Sequence, residues 1–293
     1  MRPTRTLRFF GSTVFAGLLV LVFLGLVPSW AFATPQHNIW PDSTITQEQE
    51  YIHYRGLADM LGHPVGDRPT LLGIRGLTLW AEAPHEVRST NLAYDDTFIL
   101  LVPDTNTAYA FPGATHPFRR ISDEAPDVDD DGRGDVAMIR PGLYTAERMD
   151  PERLLVRNLD GTGRIPAYRD FNHNGRFEPE EKARSFQITE GRHAAPNMGL
   201  FATAILFHVG GGFGSIGCQT AAAHHIALLH AHAPFDYLLV DAVDALSVAS
   251  TLPDTGQPET APLWAAPGLK PHRVERSTNV RPGQGHTVAW DLH

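Results

Sequence analysis

Cysteine is almost missing from this sequence, since Cys218 is the only one among 293 residues. A single cysteine excludes a disulfide within the chain. Lysine is nearly as rare, with Lys182 and Lys270 as its only examples, and the net charge is -9. Because nucleic acids and anionic lipids attract basic surfaces, this acidic balance argues against both as partners. No lysine follows the glycine-rich segment before Cys218, so a nucleotide-binding phosphate loop is not expected either.

Charge is also missing from the run between Phe9 and Val27, which follows three arginines near the N-terminus. The run leads into Ala31-Phe32-Ala33, which has the small-x-small pattern that signal peptidases cleave. The sequence therefore predicts a signal peptide over residues 1–33 and export to the periplasm or the cell surface. The alternative is an uncleaved anchor, because the run approaches the roughly 20 residues that a spanning helix needs. A membrane is an expected partner only in that case.

The isolation of Cys218 carries information in an exported chain, because exported proteins use cysteine mostly in pairs. Three interpretations are open from the count alone. The thiol is catalytic, or it is buried and inert, or it forms a disulfide between two copies of the chain. The residues around the cysteine are needed to choose among them.

Short apolar or alternating runs, separated by turn residues, fill the chain from Thr70 onward. This spacing predicts a mainly β fold with a few short helices. The helices are expected near residues 47–61 and 219–233, because both stretches lack proline and are rich in helix formers. Four segments result: the signal peptide 1–33, an N-terminal extension 34–69, a catalytic β domain 70–250 and an irregular tail 251–293.

The first of two acidic loops in the β domain runs from Asp170 to Glu181 and matches the twelve-residue calcium loop of EF-hand proteins. Oxygen ligands fall at positions 1, 3, 5, 7 and 12, and glycine stands at position 6, where the chain turns sharply. The expected ligands are Asp170, Asn172, Asn174, the backbone carbonyl of Arg176, and Glu181, with Glu178 acting through water. Calcium prefers such oxygen sets, so we expect a structural Ca²⁺ here. The alternative is an ordinary solvated turn.

The second acidic loop, Asp127 to Asp135, repeats the first half of the same pattern. Its candidate ligands are Asp127, Asp129, Asp131 and Asp135. Position 12 is Met138, so the bidentate carboxylate of a complete calcium loop is missing. Another carboxylate would have to complete the coordination shell. Both loops are expected to stabilise structure, because nothing near them resembles an open catalytic metal site.

The segment from Ile205 to Thr220 concentrates the residues that carry chemistry. A predicted strand delivers His208, a glycine-rich turn follows, and Cys218 stands where the predicted helix begins. A thiol at a helix N-terminus has a lowered pKa, and His208 is close enough in sequence to act as its base. The amides around Gly217 can donate to an oxyanion. These features predict a nucleophilic cysteine.

The His-x-Gly sequence at His208, the glycine-rich loop and Ser-x-Gly-Cys at residues 215–218 resemble the active-site stretch of L,D-transpeptidase-type catalytic domains. Tyr94-Asp95-Asp96 and the Pro-Gly-x-Tyr turn at residues 141–144 are similar to that family as well. The resemblance spans roughly residues 73–245, and only the cysteine segment is specific. Two departures are evident: Ile216 stands where the family usually has histidine, and ten residues between His208 and Cys218 is a short spacing.

The resemblance implies an L,D-transpeptidase-like β-sandwich of the bacterial cell wall whose partners are peptidoglycan peptides. It implies that Cys218 is the nucleophile and His208 its base. Ser215 would hold the turn, and the amides of Ile216, Gly217 and Cys218 would form the oxyanion hole. The reaction passes through an acyl-thioester, and the acyl group goes to an amine (transferase) or to water (hydrolase). Sequence does not distinguish these outcomes.

Other interpretations of the same residues stay open. A calcium-stabilised envelope binding protein with a degenerate active site is the main alternative, because Ile216 replaces the family's histidine. A zinc site is conceivable from the histidines of this region, although none has the spacing of a zinc motif. Those histidines are His193, His208, His224 and His225. A disulfide-linked dimer through Cys218 is a third possibility.

Overall fold

The structure, a computed structural model, describes residues 39–41, 43–89, 94–119, 122–210 and 215–252. The predicted signal peptide and all but the first two residues of the predicted tail lie outside these ranges. The chain divides into two units, residues 1–253 and 254–293, and every described residue belongs to the first. None of the described helices is both long and apolar enough to cross a bilayer.

Twelve strands and four α-helices make up the described part of the chain. In chain order they are α1 (Gln47–Met60), β1 (Thr70–Arg75), β2 (Asp96–Val102), β3 (Thr107–Ala114), β4 (Ala137–Ile139), β5 (Gly142–Asp150), β6 (Arg153–Asn158), β7 (Ile165–Arg169), α2 (Pro179–Gln187), β8 (Ala194–Ala195), β9 (Gly199–Ala202), β10 (Leu206–Val209), β11 (Gln219–Ala221), α3 (Ala223–Ala231), β12 (Phe235–Asp241) and α4 (Ala242–Ala249). The prediction of a mainly β fold with a few short helices is confirmed.

Eight strands close into a barrel in the order β1-β12-β5-β6-β10-β11-β3-β2. Most neighbours are antiparallel, and the two parallel pairs are β1 with β12 and β10 with β11. The other four strands form a small sheet in the order β4-β7-β9-β8. Closure leaves no free strand edge on the barrel, which removes the surfaces at which β proteins aggregate.

The barrel interior is aromatic. Phe207 contacts Phe98 and Tyr237 with near-perpendicular rings, the edge-to-face geometry that aromatic pairs prefer. The buried Tyr237 hydroxyl donates to Gln219 Oε1 at 2.8 Å, so a polar group inside the barrel is satisfied. Residues from β4, β7 and β9 belong to the same hydrophobic cluster. The barrel and the small sheet therefore share one core.

Helix α1 belongs to the predicted N-terminal extension and packs on the outside of the barrel. Thr46 caps it: the Gln49 amide donates to the Thr46 hydroxyl, and the Thr46 amide donates to the Gln49 side chain. Tyr54 and Leu57 of this helix are buried in a second hydrophobic cluster with Leu246 of α4. The extension is thus held to the barrel by buried apolar surface.

Two predicted elements near the cysteine differ from the structure. The expected helix 219–233 is wrong at its start, because Gln219–Ala221 forms β11 and α3 begins only at Ala223. Pairing with β10 on one side and β3 on the other outweighs the helix propensity of these residues. The apolar run from Phe201 to Val209 predicts one strand, but the structure has two strands in different sheets, β9 and β10, with Ala204 between them at a φ of 55°.

Candidate functional site

Cys218 lies directly before β11, at the end of a tight turn that begins at Ser215. The Ser215 hydroxyl donates to the Cys218 carbonyl at 2.9 Å and accepts from the Gly217 amide at 3.1 Å. Two backbone bonds anchor the turn to its neighbours: the Phe118 amide donates to the Ser215 carbonyl at 2.8 Å, and the Ala137 amide donates to the Ile216 carbonyl at 3.0 Å. The turn before Cys218 is therefore tied to β4 and to the loop that follows β3.

The backbone at Gly217 has a φ of +149°, and a Cβ there would lie 2.9 Å from the Ala137 carbonyl oxygen. Only glycine fits this position without moving β4. The Gly217 amide already donates to Ser215, so one of the three amides predicted for an oxyanion hole is engaged. Residues 211–214 of the glycine-rich turn lie outside the described residues.

His208 and Cys218 are brought to neighbouring parallel strands. Phe207 pairs with Gln219 and His208 with Thr220, so Cys218 falls opposite Leu206, one residue before the first of these pairs. Residues paired across two strands point to the same face of the sheet, and so do residues two apart on one strand. Cys218 therefore shares a face with Leu206, and Leu206 shares it with His208. Phe207 and Ala221 belong to the barrel core, so this shared face is the outer one.

The His208 ring is oriented by the backbone. Its Nδ1 lies 2.8 Å from the Val209 carbonyl oxygen, an acceptor that keeps the proton on Nδ1 in the neutral ring. Nε2 is then the nitrogen with a lone pair for proton transfer. Within the described ranges, Sγ of Cys218 bonds to the Ala204 carbonyl at 3.8 Å, and no bond joins the sulfur to His208.

The electrostatics of the thiol differ from the sequence-based expectation. Burial raises the pKa of Cys218, and hydrogen bonds from the Leu206 backbone and the Ser215 side chain offset this only in part. The expected lowering by a helix N-terminus is absent, because α3 begins five residues later, at Ala223. In this arrangement the resting cysteine is a neutral thiol at neutral pH.

The Asp170 loop has the turn geometry expected of a calcium loop. The carboxylate of Asp170 accepts from the amides of Asn174 and Gly175 at 3.2 and 2.9 Å. Asn174 Oδ1 in turn accepts from the Arg176 amide at 2.7 Å. These bonds bend the chain and hold the side-chain oxygens at positions 1 and 5 against backbone amides of the loop.

Glu181 reaches back across that loop from the first turn of α2. Its carboxylate accepts from the amides of Asn172 and Glu178 at 3.0 and 3.2 Å. Burial, together with the neighbouring Glu178 carboxylate, raises the pKa of Glu181 to about 7. The carboxylates of Glu181 and Glu178 repel each other unless a proton or a cation lies between them. Pro179, a residue well suited to the first position of a helix, is where α2 begins.

In the Asp127 loop the structure brings three of the four predicted carboxylates together. Oxygens of Asp127, Asp129 and Asp135 all lie within 4.8 Å of one another. Asp131 turns instead toward His173, whose Nε2 lies 3.1 Å from its carboxylate. Oδ1 of the fully buried Asp135 has no hydrogen-bond partner among the described residues. A buried carboxylate oxygen without a donor is what a bound cation would satisfy.

The two acidic loops contact each other. Besides the bond from His173 to Asp131, Arg184 of α2 pairs with Asp129 at 3.0 Å. The Asp170 amide donates to the Val136 carbonyl at 3.3 Å, which extends the pairing of β4 with β7. The loops therefore form one acidic corner of the small sheet, a proximity that their separation in sequence does not reveal.

The sequence did not single out a further cluster of histidine and aspartate. His85 and His116 lie beside Asp95 and Asp96, at the start of β2. The only local signal was the Tyr94-Asp95-Asp96 motif, because the histidines come from separate loops. The zinc alternative receives no such support. Within the described ranges, two groups of side chains are close enough to hold a metal ion, and neither contains any of its four histidines.

Compared with known proteins, the chain matches no family model, no curated protein and no solved structure.

Proposed function

We propose that this chain is an exported cysteine enzyme that forms an acyl-thioester on peptidoglycan stem peptides, as an L,D-transpeptidase or a related peptidase. The observation that carries the proposal is the register of two adjacent parallel strands: His208 is part of β10, and Cys218 directly precedes β11, opposite Leu206. The signal peptide 1–33, the periplasmic or cell-surface location and an L,D-transpeptidase-like β-sandwich belong to the same proposal.

In the proposed reaction, Nε2 of His208 accepts the thiol proton of Cys218. The thiolate attacks the carbonyl carbon of a peptide bond, and the resulting oxyanion takes hydrogen bonds from the amides of Ile216 and Cys218. The protonated imidazole then gives its proton to the leaving amine. Water or a second amine attacks the thioester, releases the acyl group and restores the thiol.

Activation requires the sulfur to leave the Ala204 carbonyl and turn toward His208. The side chains share a face, so rotation about the Cα–Cβ bond of Cys218 moves the sulfur along that face. Catalytic hydrogen bonds often form only in the substrate complex, so their absence from a ligand-free site is compatible with catalysis. A thiol that stays protonated until then is also protected from oxidation.

Ca²⁺ is proposed as a structural cofactor at both acidic loops. The backbone turns of the Asp170 loop and the unsatisfied oxygen of Asp135 support this proposal. An ion at either loop would neutralise carboxylates that otherwise repel one another. Chemistry at Cys218 does not require it.

The second candidate is a calcium-stabilised envelope binding protein that has lost catalysis. The raised pKa of Cys218 and the sulfur's contact with Ala204 favour it. In that case the outer face beside His208 would bind peptidoglycan peptides without cutting or joining them.

Turnover of purified muropeptides by the purified protein separates these candidates. Cys218→Ala should abolish both turnover and labelling by a thiol-directed acylating probe. His208→Gln should reduce turnover by about 10² to 10⁴-fold, the usual contribution of a general base. His232→Gln, on the far end of α3, is the matched histidine control and should retain activity.

Undiminished turnover by Cys218→Ala would contradict the cysteine mechanism. Binding of muropeptides without turnover by the wild-type protein, unchanged in Cys218→Ala, would establish the binding protein instead. A dimer on non-reducing gels that collapses with reductant would identify Cys218 as an intermolecular bridge.

A further inference from the structure

His85, Asp95 and Asp96 form a compact cluster near the start of β2, apart from both acidic loops. Nε2 of His85 lies 3.4 Å from Asp95 Oδ2 and 4.0 Å from Asp96 Oδ1. One ligand atom from each residue lies within 4.8 Å of the other two. This spacing leaves room for one ion between the three atoms.

Nε2 of His85 is buried and has no hydrogen-bond partner among the described residues. The opposite ring nitrogen, Nδ1, lies 3.5 Å from the Thr78 hydroxyl, and the His85 amide donates to the Gly76 carbonyl at 2.8 Å. The backbone thus holds the ring so that its unsatisfied nitrogen faces the two carboxylates. Metal-binding histidines are commonly oriented by a bond to the other nitrogen in this way.

The carboxylate of Asp96 is held rigidly. Oδ1 accepts from the Gly76 amide at 2.6 Å, and Oδ2 accepts from the amide and hydroxyl of Thr115, both at 2.7 Å. Oδ1 therefore retains a lone pair on the side that faces His85. Because Asp96 is fully buried, this oxygen is held in a fixed position and is not in contact with bulk water.

Asp95 is positioned by His116, which is fully buried. Nε2 of His116 lies 2.8 Å from Asp95 Oδ1, and Nδ1 lies 3.1 Å from the Pro117 carbonyl oxygen. The second carboxylate oxygen, Oδ2, is the one nearest to His85. Both carboxylates thus direct an oxygen toward Nε2 of His85.

A cavity of about 320 Å³ adjoins this cluster and is lined by Arg75, His85 and Asp241, among others. An ion held by three side chains has at least one coordination position left for water or for a ligand. The cavity offers the space for that molecule. The cavity therefore meets the cluster at His85, the one of the three residues that lines it.

From this geometry we propose a divalent transition-metal site in which Nε2 of His85, Oδ2 of Asp95 and Oδ1 of Asp96 are the protein ligands. One imidazole nitrogen with two carboxylate oxygens suits Zn²⁺ or Mn²⁺ better than Ca²⁺, which takes oxygen ligands in larger number. None of these three ligands is part of the proposed Cys218 chemistry, so the site stands or falls separately from the proposed enzyme activity.

Metal binding by the full-length, chelator-treated protein tests this site. Isothermal titration with Zn²⁺, and separately with Mn²⁺, is carried out with Ca²⁺ saturating, so that the acidic loops are occupied. Wild-type protein should bind one equivalent, and His85→Gln should weaken binding at least about tenfold. His63→Gln is the matched control, because His63 is also half-buried and lies next to a carboxylate, that of Asp236, and it should leave the affinity unchanged.

Co²⁺ provides a spectroscopic check of the ligands. Substitution by Co²⁺ should give visible absorption without the strong near-ultraviolet band of a cobalt–thiolate bond, and Cys218→Ser should leave the spectrum unchanged. Equal stoichiometry and affinity in wild type and His85→Gln would overturn the proposal, as would no retained metal in wild type. Asp95→Asn serves as a second ligand variant, and circular dichroism verifies that both variants are folded.

Discussion

At Gly217 a Cβ would lie 2.9 Å from the Ala137 carbonyl oxygen and 3.2 Å from the Ala137 Cβ, on a backbone with a φ of +149°. We therefore expect Gly217→Ala to lower the free energy of unfolding by about 1–3 kcal/mol, the usual cost of strain at such a position. Urea unfolding monitored by fluorescence measures the change.

The control for this prediction is Gly163→Ala. A Cβ at Gly163 has no neighbour within 4 Å and no unusual φ, so this substitution should be neutral or slightly stabilising. Equal effects of the two substitutions would mean that the turn before Cys218 relaxes easily and does not fix the position of the thiol.

His225 stacks on Phe111 with a ring separation of 4.4 Å, and burial, followed by the neighbouring His224, lowers its pKa to about 4. The unfolded chain binds this proton near pH 6.5. Between these values the unfolded state holds more protons, so stability falls as the pH is lowered from about 6.5 toward 4. Because the ring is only half-buried, we expect a loss of about 1 kcal/mol.

Thermal unfolding between pH 7 and 4 measures this effect. His225→Phe keeps the stacked ring and should remove this part of the pH dependence, whereas His232→Gln should retain it. An unchanged pH profile in His225→Phe would show that the destabilisation at low pH has another source.

At the level of elements, the proposed calcium sites lie in two acidic loops that contact each other, so we expect these loops and the ends of β4, β7 and α2 to respond to calcium together. The chelated protein should gain stability on addition of Ca²⁺, by about 2.7 kcal/mol for each site when free Ca²⁺ is about 100 times Kd. Equilibrium dialysis should count two ions for each wild-type chain. Asp135→Asn and Glu181→Gln should each reduce the count to one, because each removes a ligand from a different loop.

Asp104→Asn is the control for the loss of one acidic charge, since Asp104 is exposed in a turn between β2 and β3. It should leave both the ion count and the stabilisation unchanged. No stabilisation of the wild type by Ca²⁺ at millimolar concentration would identify the loops as solvated turns held by Arg184 and His173.

Elements whose signal is local were predictable from sequence. Apolar runs and turn residues predict the mainly β character of the chain from Thr70 onward, and helix formers predict α1 close to its observed bounds, Gln47–Met60. β11 was not predictable, because Gln219–Ala221 has no strand pattern of its own and is extended only through its two neighbouring strands. With β11 in place of a helix, the expected lowering of the Cys218 pKa disappears.

For the molecule as a whole, sequence spacing does not show which distant residues meet. The pairing of His208 with Thr220 depends on β11, where the sequence predicts a helix. The meeting of His85 with Asp95, and of Arg184 with Asp129, depends on barrel closure and on the packing of the small sheet. Such contacts follow from the three-dimensional arrangement of the strands and have no signature in one sequence.

The chain passes from the small sheet to the barrel between β9 and β10, and Ala204 stands at that crossing with its carbonyl against the sulfur of Cys218. Because the sequence contains no second cysteine, a thiol-directed maleimide dye has Cys218, beside this crossing, as its one thiol target. The native protein thus carries its own reporter position for movement between its two sheets, and no engineered cysteine is needed to follow it.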